Sequence, residues 1–414
     1  MQKIIMHCQE LKEYTKLRQF FCMAFAFFLF SQFIIPSNFA YSWIFYLLVG
    51  VPCIALYSSD KRIRHSFLSH TIVKYFCVLC LYSVVHDWIF DSTNYAIDTT
   101  RHTIATLIFV MSAILWCCSP QDYLTKCYKF FLHTVIICGI ISIISHLVTF
   151  GAFERLSAIG QNDHPILGAN IYSIFTMLGF YFLHPEKQDN LFYKRIVPYA
   201  AIIITGLLVI LTQSRGPFIA FGVCCFIGLL ATKHYKTIAL GSTIICFLML
   251  DFIFYSQHAQ HYLPIETIYE SALYLLNRES HRMNIWILTV QLISEKPLIG
   301  YNLQTMFPYA FGGVNPHNIF LGAWYYTGIF GFFLLMTIVI SSFGAVLRRR
   351  NTAKGLLGIL LMLYAILACM TDQGQYVDSP SPLWSIFWLP ITYAMAFKVK
   401  ERMLGFVTTH SNKT

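Results

Sequence analysis

The sequence predicts an all-α, polytopic membrane protein, and three observations carry that expectation. A chain that is 57% hydrophobic and 17% aromatic but only 12% charged lies far outside the soluble globular range. Its apolar runs are separated by short polar stretches, and most are long enough to cross a hydrocarbon core of roughly 30 Å as helices. Its basic residues gather in alternate connections, as the positive-inside rule requires of a chain that crosses repeatedly.

About twelve spans follow in order: 19–36, 41–58, 70–90, 103–118, 128–150, 166–184, 196–211, 216–232, 237–256, 317–346, 355–371 and 382–397. The chain divides accordingly into residues 1–150 (five spans), 151–256 (four spans), 257–315 (a large extramembrane loop) and 316–414 (three spans and a tail). Going along the chain, one side collects every Lys and Arg except Arg101, Arg155, Arg215, Arg278, Arg282 and Lys296. That side is expected to be cytoplasmic and to hold both termini. Pro36 ends the first apolar run and no small-residue cleavage site follows it, so the first span is expected to stay. The net charge of +10 is thereby a topology signal, and nucleic-acid binding is not needed to explain it. The six exceptions run against the topogenic preference, which makes each a candidate for binding something anionic. Nearly all of the 13 cysteines fall inside spans, and Cys77 and Cys80 form a C-x-x-C only in spelling, as two small residues on one buried face.

The first five spans hold few polar groups for chemistry. Asp87, Asp91 and Asp98 lie near the outer end of the third, and no D-x-D occurs anywhere in the chain. Metal-dependent glycosyl transfer usually holds its cation on closely spaced carboxylates, so a mechanism without metal or cofactor is expected. The outer loop E154-RLSAIGQNDHP-165 brings Arg155 and three other polar groups before the sixth span, as a sugar contact or as a solvated turn. In L211-TQSRGPF-218, Pro217 is expected to begin the eighth helix with Arg215 beside its outward N–H groups. That is a phosphate-binding arrangement, favoured over an arginine that snorkels to headgroups because the turn is only a few residues long.

The loop from Tyr255 to Asn315 is too long to be a connector. It shows two helical patterns, 265–278 ending at Arg278, and 281–300, where Ile285, Trp286, Thr289, Val290 and Ile293 make an apolar stripe. Both are expected to lie on the outer leaflet as a lid, with Arg282 turned toward the surface one helical turn before Trp286. The stretch N315-PHNIFLGAWYYTGIFG-331 then enters the tenth span. Asn315 suits an N-cap and Pro316 the first helical position, which places His317 in the first turn on one stripe with Gly328 and Gly331. The glycines are expected to admit a neighbouring helix, and the positive end of the helix disfavours imidazolium, so His317 is expected to be a neutral proton acceptor. A histidine merely tolerated at a helix start would look the same. In the last outer loop, Asp372 is placed to orient His317 or an arginine, or else is a solvated loop residue.

H317-N, nine residues, then G328-IFG-331 resembles the H-[NSQ]-x9-G-x-x-[GTY] signature of the bacterial O-antigen ligases, whose superfamily also includes O-antigen polymerases and protein O-oligosaccharyltransferases. R282-MNIW-286, E295-KPLIG-300, S214-RG-216 and Asp372 are also similar, and the resemblance covers about residues 150–390. It implies a GT-C-like helical bundle with a helical periplasmic loop in the inner membrane of a Gram-negative bacterium. It also implies an inverting transfer, without metal or cofactor, at the periplasmic face. The donor would be an O-polysaccharide on undecaprenyl pyrophosphate and the acceptor the lipid A core oligosaccharide. His317 would be the general base; Arg215 and Arg282 would stabilise the leaving pyrophosphate, and Arg155, Arg278, Trp286, Asn318 and Asp372 would contact substrate or membrane lipid. A polymerase or a protein-glycosylating enzyme of the same superfamily remains open. A transporter would carry charges at mid-membrane positions, whereas these polar groups gather at one face.

Overall fold

A backbone immersed in hydrocarbon must satisfy its own N–H and C=O groups, and helices do so within each segment. The computed structural model describes residues 2–90, 93–149, 154–161, 164–187, 189–237, 281–303, 305–308 and 315–411, and among these the regular elements are all helical. In chain order they are α1 (Gln2–Ser31), α2 (Asn38–Ser59), α3 (Lys61–Leu68), α4 (Thr71–Phe90), α5 (Thr93–Cys117), α6 (Gln121–Thr149), α7 (Pro165–Leu183) and α8 (Phe192–Leu211). There follow α9 (Arg215–Ala231), α10 (Arg282–Glu295), α11 (Ile319–Leu347), α12 (Ala353–Asp372) and, after a single helical turn at Leu383–Ile386, α13 (Trp388–Ser411). Among the described residues, α2, α4, α5, α6, α7, α8, α11 and α12 are long and apolar enough to cross a membrane, and α9 and the start of α13 are shorter apolar helices. The chain is thus a multi-pass helical membrane protein. All but the first residue of the expected span 237–256, and the helical pattern 265–278 with Arg278, lie outside the described residues.

Two boundaries differ from expectation in ways that matter. α5 begins ten residues before the expected 103, so Arg101 is a helical residue whose guanidinium meets Asp98 at 3.1 Å. Both side chains are exposed, and the charge that looked available for an anion already has a partner. The second difference is in α11, which packs against α4, α10, α12 and α13. Its helix is interrupted at Gly328, whose φ of 64° and ψ of −171° belong to a region that only glycine enters readily.

The interruption frees backbone groups, and the segment after α10 takes them up. Tyr301 N–H donates to the Tyr325 carbonyl (2.9 Å), Asn302 N–H to Tyr326 (2.8 Å), and Ile329 N–H to Pro297 (3.0 Å). Tyr82 of α4 donates its hydroxyl to the Thr327 carbonyl at 2.9 Å. A Cβ at Gly328 would run into the Leu298 carbonyl. E295-KPLIG-300 is therefore a clip seated in a break of α11, which ties α10 to the helix that follows His317. Gly328 admits this clip and not a neighbouring helix, whereas Gly331 does face Tyr82 of α4. Gly328→Ala is expected to lower the melting temperature in detergent. The backbone alone costs about 1–3 kcal/mol, before the collision is counted, and an unchanged melting temperature would contradict the clip.

A buried polar cluster fastens the clip from the other side. His86 Nε2–H donates to the Ile299 carbonyl at 2.7 Å, and His86 Nδ1 faces Asp87 Oδ1 at 3.0 Å. Asp87 is fully buried and also accepts from Thr99 Oγ1 (2.6 Å) and from Leu303 N–H (3.3 Å). Removing one member of such a buried pair costs about 3–5 kcal/mol, because the other is left uncompensated. Asp87→Ala is accordingly expected to give a protein that inserts poorly or melts early. Wild-type thermal stability in that variant would show that the cluster holds nothing.

Candidate active site

Arg215 is positioned by a turn that Arg155 braces. Gln213 takes a positive φ of 51° and Ser214 is extended, so α9 starts at Arg215, two residues before the expected Pro217. Phe218 N–H closes the first helical bond on the Ser214 carbonyl at 3.1 Å. Pro217 falls in the first turn, where its missing N–H costs nothing. Arg155 Nε donates to the Thr212 carbonyl (3.2 Å) and its Nη2 to Ser214 Oγ (3.3 Å), while Leu156 N–H bonds the Leu211 carbonyl. The outer loop before α7 thus holds the turn that presents Arg215.

Arg282 begins α10, following His281 at φ 46°. Ile285, Thr289 and Ile293 form the buried face, which packs on α11. Val290, expected on the same stripe, is about half exposed, and Trp286 is half-buried. The Trp286 indole N–H is buried with no hydrogen-bond partner among the described residues. Arg282 Nη2 donates to Asp372 Oδ1 at 3.2 Å. Burial pulls this guanidinium below the usual arginine range and Asp372 opposes that shift, so the cation is partly desolvated and held by one carboxylate. A Cβ at Gly216 would lie 3.5 Å from Arg282 Nη1 and would collide with Thr371. The glycine after Arg215 is what lets the start of α9 sit against Arg282 and the end of α12.

His317 is not in the first turn of α11. Asn318 is the N-cap, its side-chain oxygen accepting from Phe320 N–H (3.0 Å) and Leu321 N–H (3.2 Å). Asn315 instead makes a turn of its own, accepting from His317 N–H at 2.8 Å. His317 is left between the two asparagines at φ 48°, a left-handed conformation that histidine tolerates better than most residues. The expected stripe shared with Gly328 and Gly331 therefore does not exist. The tertiary reason is Gly374, which is packed against both Asn315 and Gly322. The loop after α12 is seated against the start of α11.

The consequence is a histidine pointed sideways at Asp372. His317 Nδ1 lies 3.7 Å from Asp372 Oδ1, buried and with no hydrogen-bond partner among the described residues. Both side chains remain about a quarter or a fifth exposed, so the accessible part of the ring is its other edge. Asp372 ends α12, where a carboxylate opposes the helix dipole. Its position therefore depends on Arg282. Chemically, the arrangement offers an imidazole whose Nδ1 is turned to a carboxylate and whose Nε2 is left for a proton, beside a guanidinium able to meet an anion.

The structure thus brings His317, Asn318, Arg282, Asp372 and the Arg215–Gly216 step together, with Trp286 one turn along α10. Asn318 spends its carbonyl oxygen on the cap, and Arg155 stands behind the Arg215 turn. Sequence reasoning missed Thr371, Gly374, Asn315 as a turn residue, and the His86–Asp87 cluster. The one available signal was T371-DQG-374, a polar and glycine-bearing stretch directly after an apolar helix.

Residues 200–336, which contain Arg215, Arg282 and His317 but neither Arg155 nor Asp372, match the family described as O-Antigen ligase. Over 373 residues the chain is 21% identical to an O-antigen ligase of Pseudomonas aeruginosa, covering 87% of this chain and 86% of that protein. A relative so described implies a glycosyl-transferring enzyme.

Proposed function

We propose, from the match of residues 200–336 to the O-antigen ligase family and the similarity to the Pseudomonas aeruginosa O-antigen ligase, that the chain joins an O-polysaccharide carried on undecaprenyl pyrophosphate to the lipid A core oligosaccharide. The reaction proposed is an inverting, metal-independent transfer at the periplasmic face of a Gram-negative inner membrane, with both termini cytoplasmic. His317 Nε2 takes the proton of the acceptor hydroxyl as that oxygen attacks the anomeric carbon. The bond from the anomeric carbon to the pyrophosphate breaks, and Arg282 and Arg215 stabilise the charge that collects on the departing diphosphate. Asp372 holds Arg282 and favours the imidazolium formed at His317. Arg155 supports Arg215 through the turn, and Trp286 offers its indole to the donor lipid or its first sugar.

The observation that carries this reading is the single carboxylate of Asp372 contacted by Arg282 at 3.2 Å and approached by His317 Nδ1 at 3.7 Å. It supports a base and a cation acting on one substrate. The test is to incubate the purified protein with lipid-linked glycan and lipid A core in the presence of a chelator. Capped lipid A core is the expected product. Elongated glycan still on its lipid carrier would point to a polymerase, and activity lost to the chelator would overturn the metal-free mechanism.

A further inference from the structure

Arg282 and Asp372 are each about a fifth exposed, and an ion pair that water reaches fixes its own geometry only weakly. The backbone around Asp372 has to supply the rest. Asp372 is the last residue of α12, and from Gln373 (φ −122°, ψ 130°) the chain runs extended past the start of α11. That passage has no slack, because a Cβ at Gly322 would run into the Gly374 carbonyl and one at Gly374 into Asn315. Gln373 Nε2–H donates to the Gln375 carbonyl at 2.9 Å. A shift at Gln375 is therefore passed back to Asp372 through two residues of taut chain.

Gln375 is partly buried and turns its amide inward. Its Nε2–H donates to the Leu303 carbonyl at 2.6 Å. Leu303 is itself buried, and its N–H is taken by the Asp87 carboxylate at 3.3 Å. It follows the clip directly, the clip follows α10, and α10 begins with Arg282. Arg282, α10, the clip, Gln375 and Asp372 thus form a closed circuit, shut at one end by the ion pair and at the other by one amide hydrogen bond.

We propose that Gln375 is a positioning residue for the transfer reaction: by tying the end of α12 to the clip, its amide sets where Asp372 meets Arg282 and faces His317. This rests on the site assigned above. Keeping the loop folded falls to Tyr376, whose hydroxyl meets Ser83 Oγ at 2.9 Å and whose carbonyl accepts the Trp388 indole N–H at 2.7 Å. Those bonds fasten the loop to α4 and α13 and leave its register against α10 to Gln375. Register matters to rate more than to stability, since a misplacement of about 1 Å can cost on the order of a hundredfold.

Gln375→Glu keeps the shape and removes the donor, and Gln375→Ala removes it without adding charge. With lipid-linked glycan and lipid A core, both are expected to lower kcat about tenfold at nearly unchanged KM and melting temperature. Gln375→Lys, which restores a donor, should recover most of the loss. Hydrogen exchange should quicken at residues 373–376 and at the start of α10 but not in α4. The loss should largely vanish in an Asp372→Ala background, because the residue acts through that carboxylate. Wild-type kcat in Gln375→Ala, an equal loss in Gln375→Lys, a loss that adds in full to that of Asp372→Ala, or a melting temperature lowered in step with kcat would each overturn the proposal. His317→Ala is assayed alongside. Normal transfer by that variant with the Gln375 pattern intact would remove the assigned base and leave the tether standing, so the two failures are told apart.

Discussion

Replacing His317 by alanine is expected to lower glycan transfer about 10²–10⁴-fold, the usual contribution of a positioned general base, while leaving insertion and folding intact. The folding half follows from local geometry. The Asn315 turn needs the backbone N–H of residue 317, which alanine keeps, and the α11 cap belongs to Asn318. Alanine at φ 48° carries some strain, but the positions fastened by Gly374 and the clip are elsewhere. The catalytic half follows from Nδ1 being buried toward Asp372, which assigns the proton transfer to Nε2. Single-turnover assays with added imidazole sharpen the test, because a missing base is partly replaced by a free one whereas a collapsed site is not. Near-wild-type transfer in the variant would remove His317 from the chemistry.

The parts of this arrangement that a reader of the sequence could see are those set by local composition. Apolar runs of sufficient length became helices because a lipid-immersed backbone has no alternative, and the signature H317-N with G328-IFG-331 spans the start of α11 and the break within it. What could not be seen depends on contacts between distant segments. Asn315 and Asn318 are both competent caps, and Pro316 made the first look better. Gly374, nearly sixty residues later, decides for the second. Gly328 looked like a packing glycine because helical spacing says nothing about φ, yet it marks a break filled by Pro297–Asn302. Arg155 leaves a sugar contact and a solvated turn both open in the sequence because its partners, Thr212 and Ser214, lie in another loop. Asp87 looked like a residue at a membrane edge, whereas Thr99 and Leu303 make it a buried anchor.

Arg282→Ala is expected to cost transfer about 10²–10³-fold, the usual loss when one preorganised donor to a developing anion is removed. Arg282→Lys should recover part of that, since an ammonium keeps the charge but not the planar fork that meets Asp372 and a phosphate together. The variant also tests how Asp372 works, because that carboxylate touches Arg282 at 3.2 Å and stands 3.7 Å from His317. If Asp372 acts chiefly by holding the arginine, Asp372→Ala will cost activity in the wild-type background and almost nothing once Arg282 is gone. If it acts through the histidine, its loss will be additive with Arg282→Ala and redundant with His317→Ala. Residues in one contact network depart from additivity in this way, and two double-mutant cycles separate the cases. The shorter contact, and the cost of a carboxylate at the end of α12 without a cation, predict the larger coupling for the arginine. Full additivity in both cycles would mean that Asp372 serves neither residue and that the three side chains are neighbours without being a site.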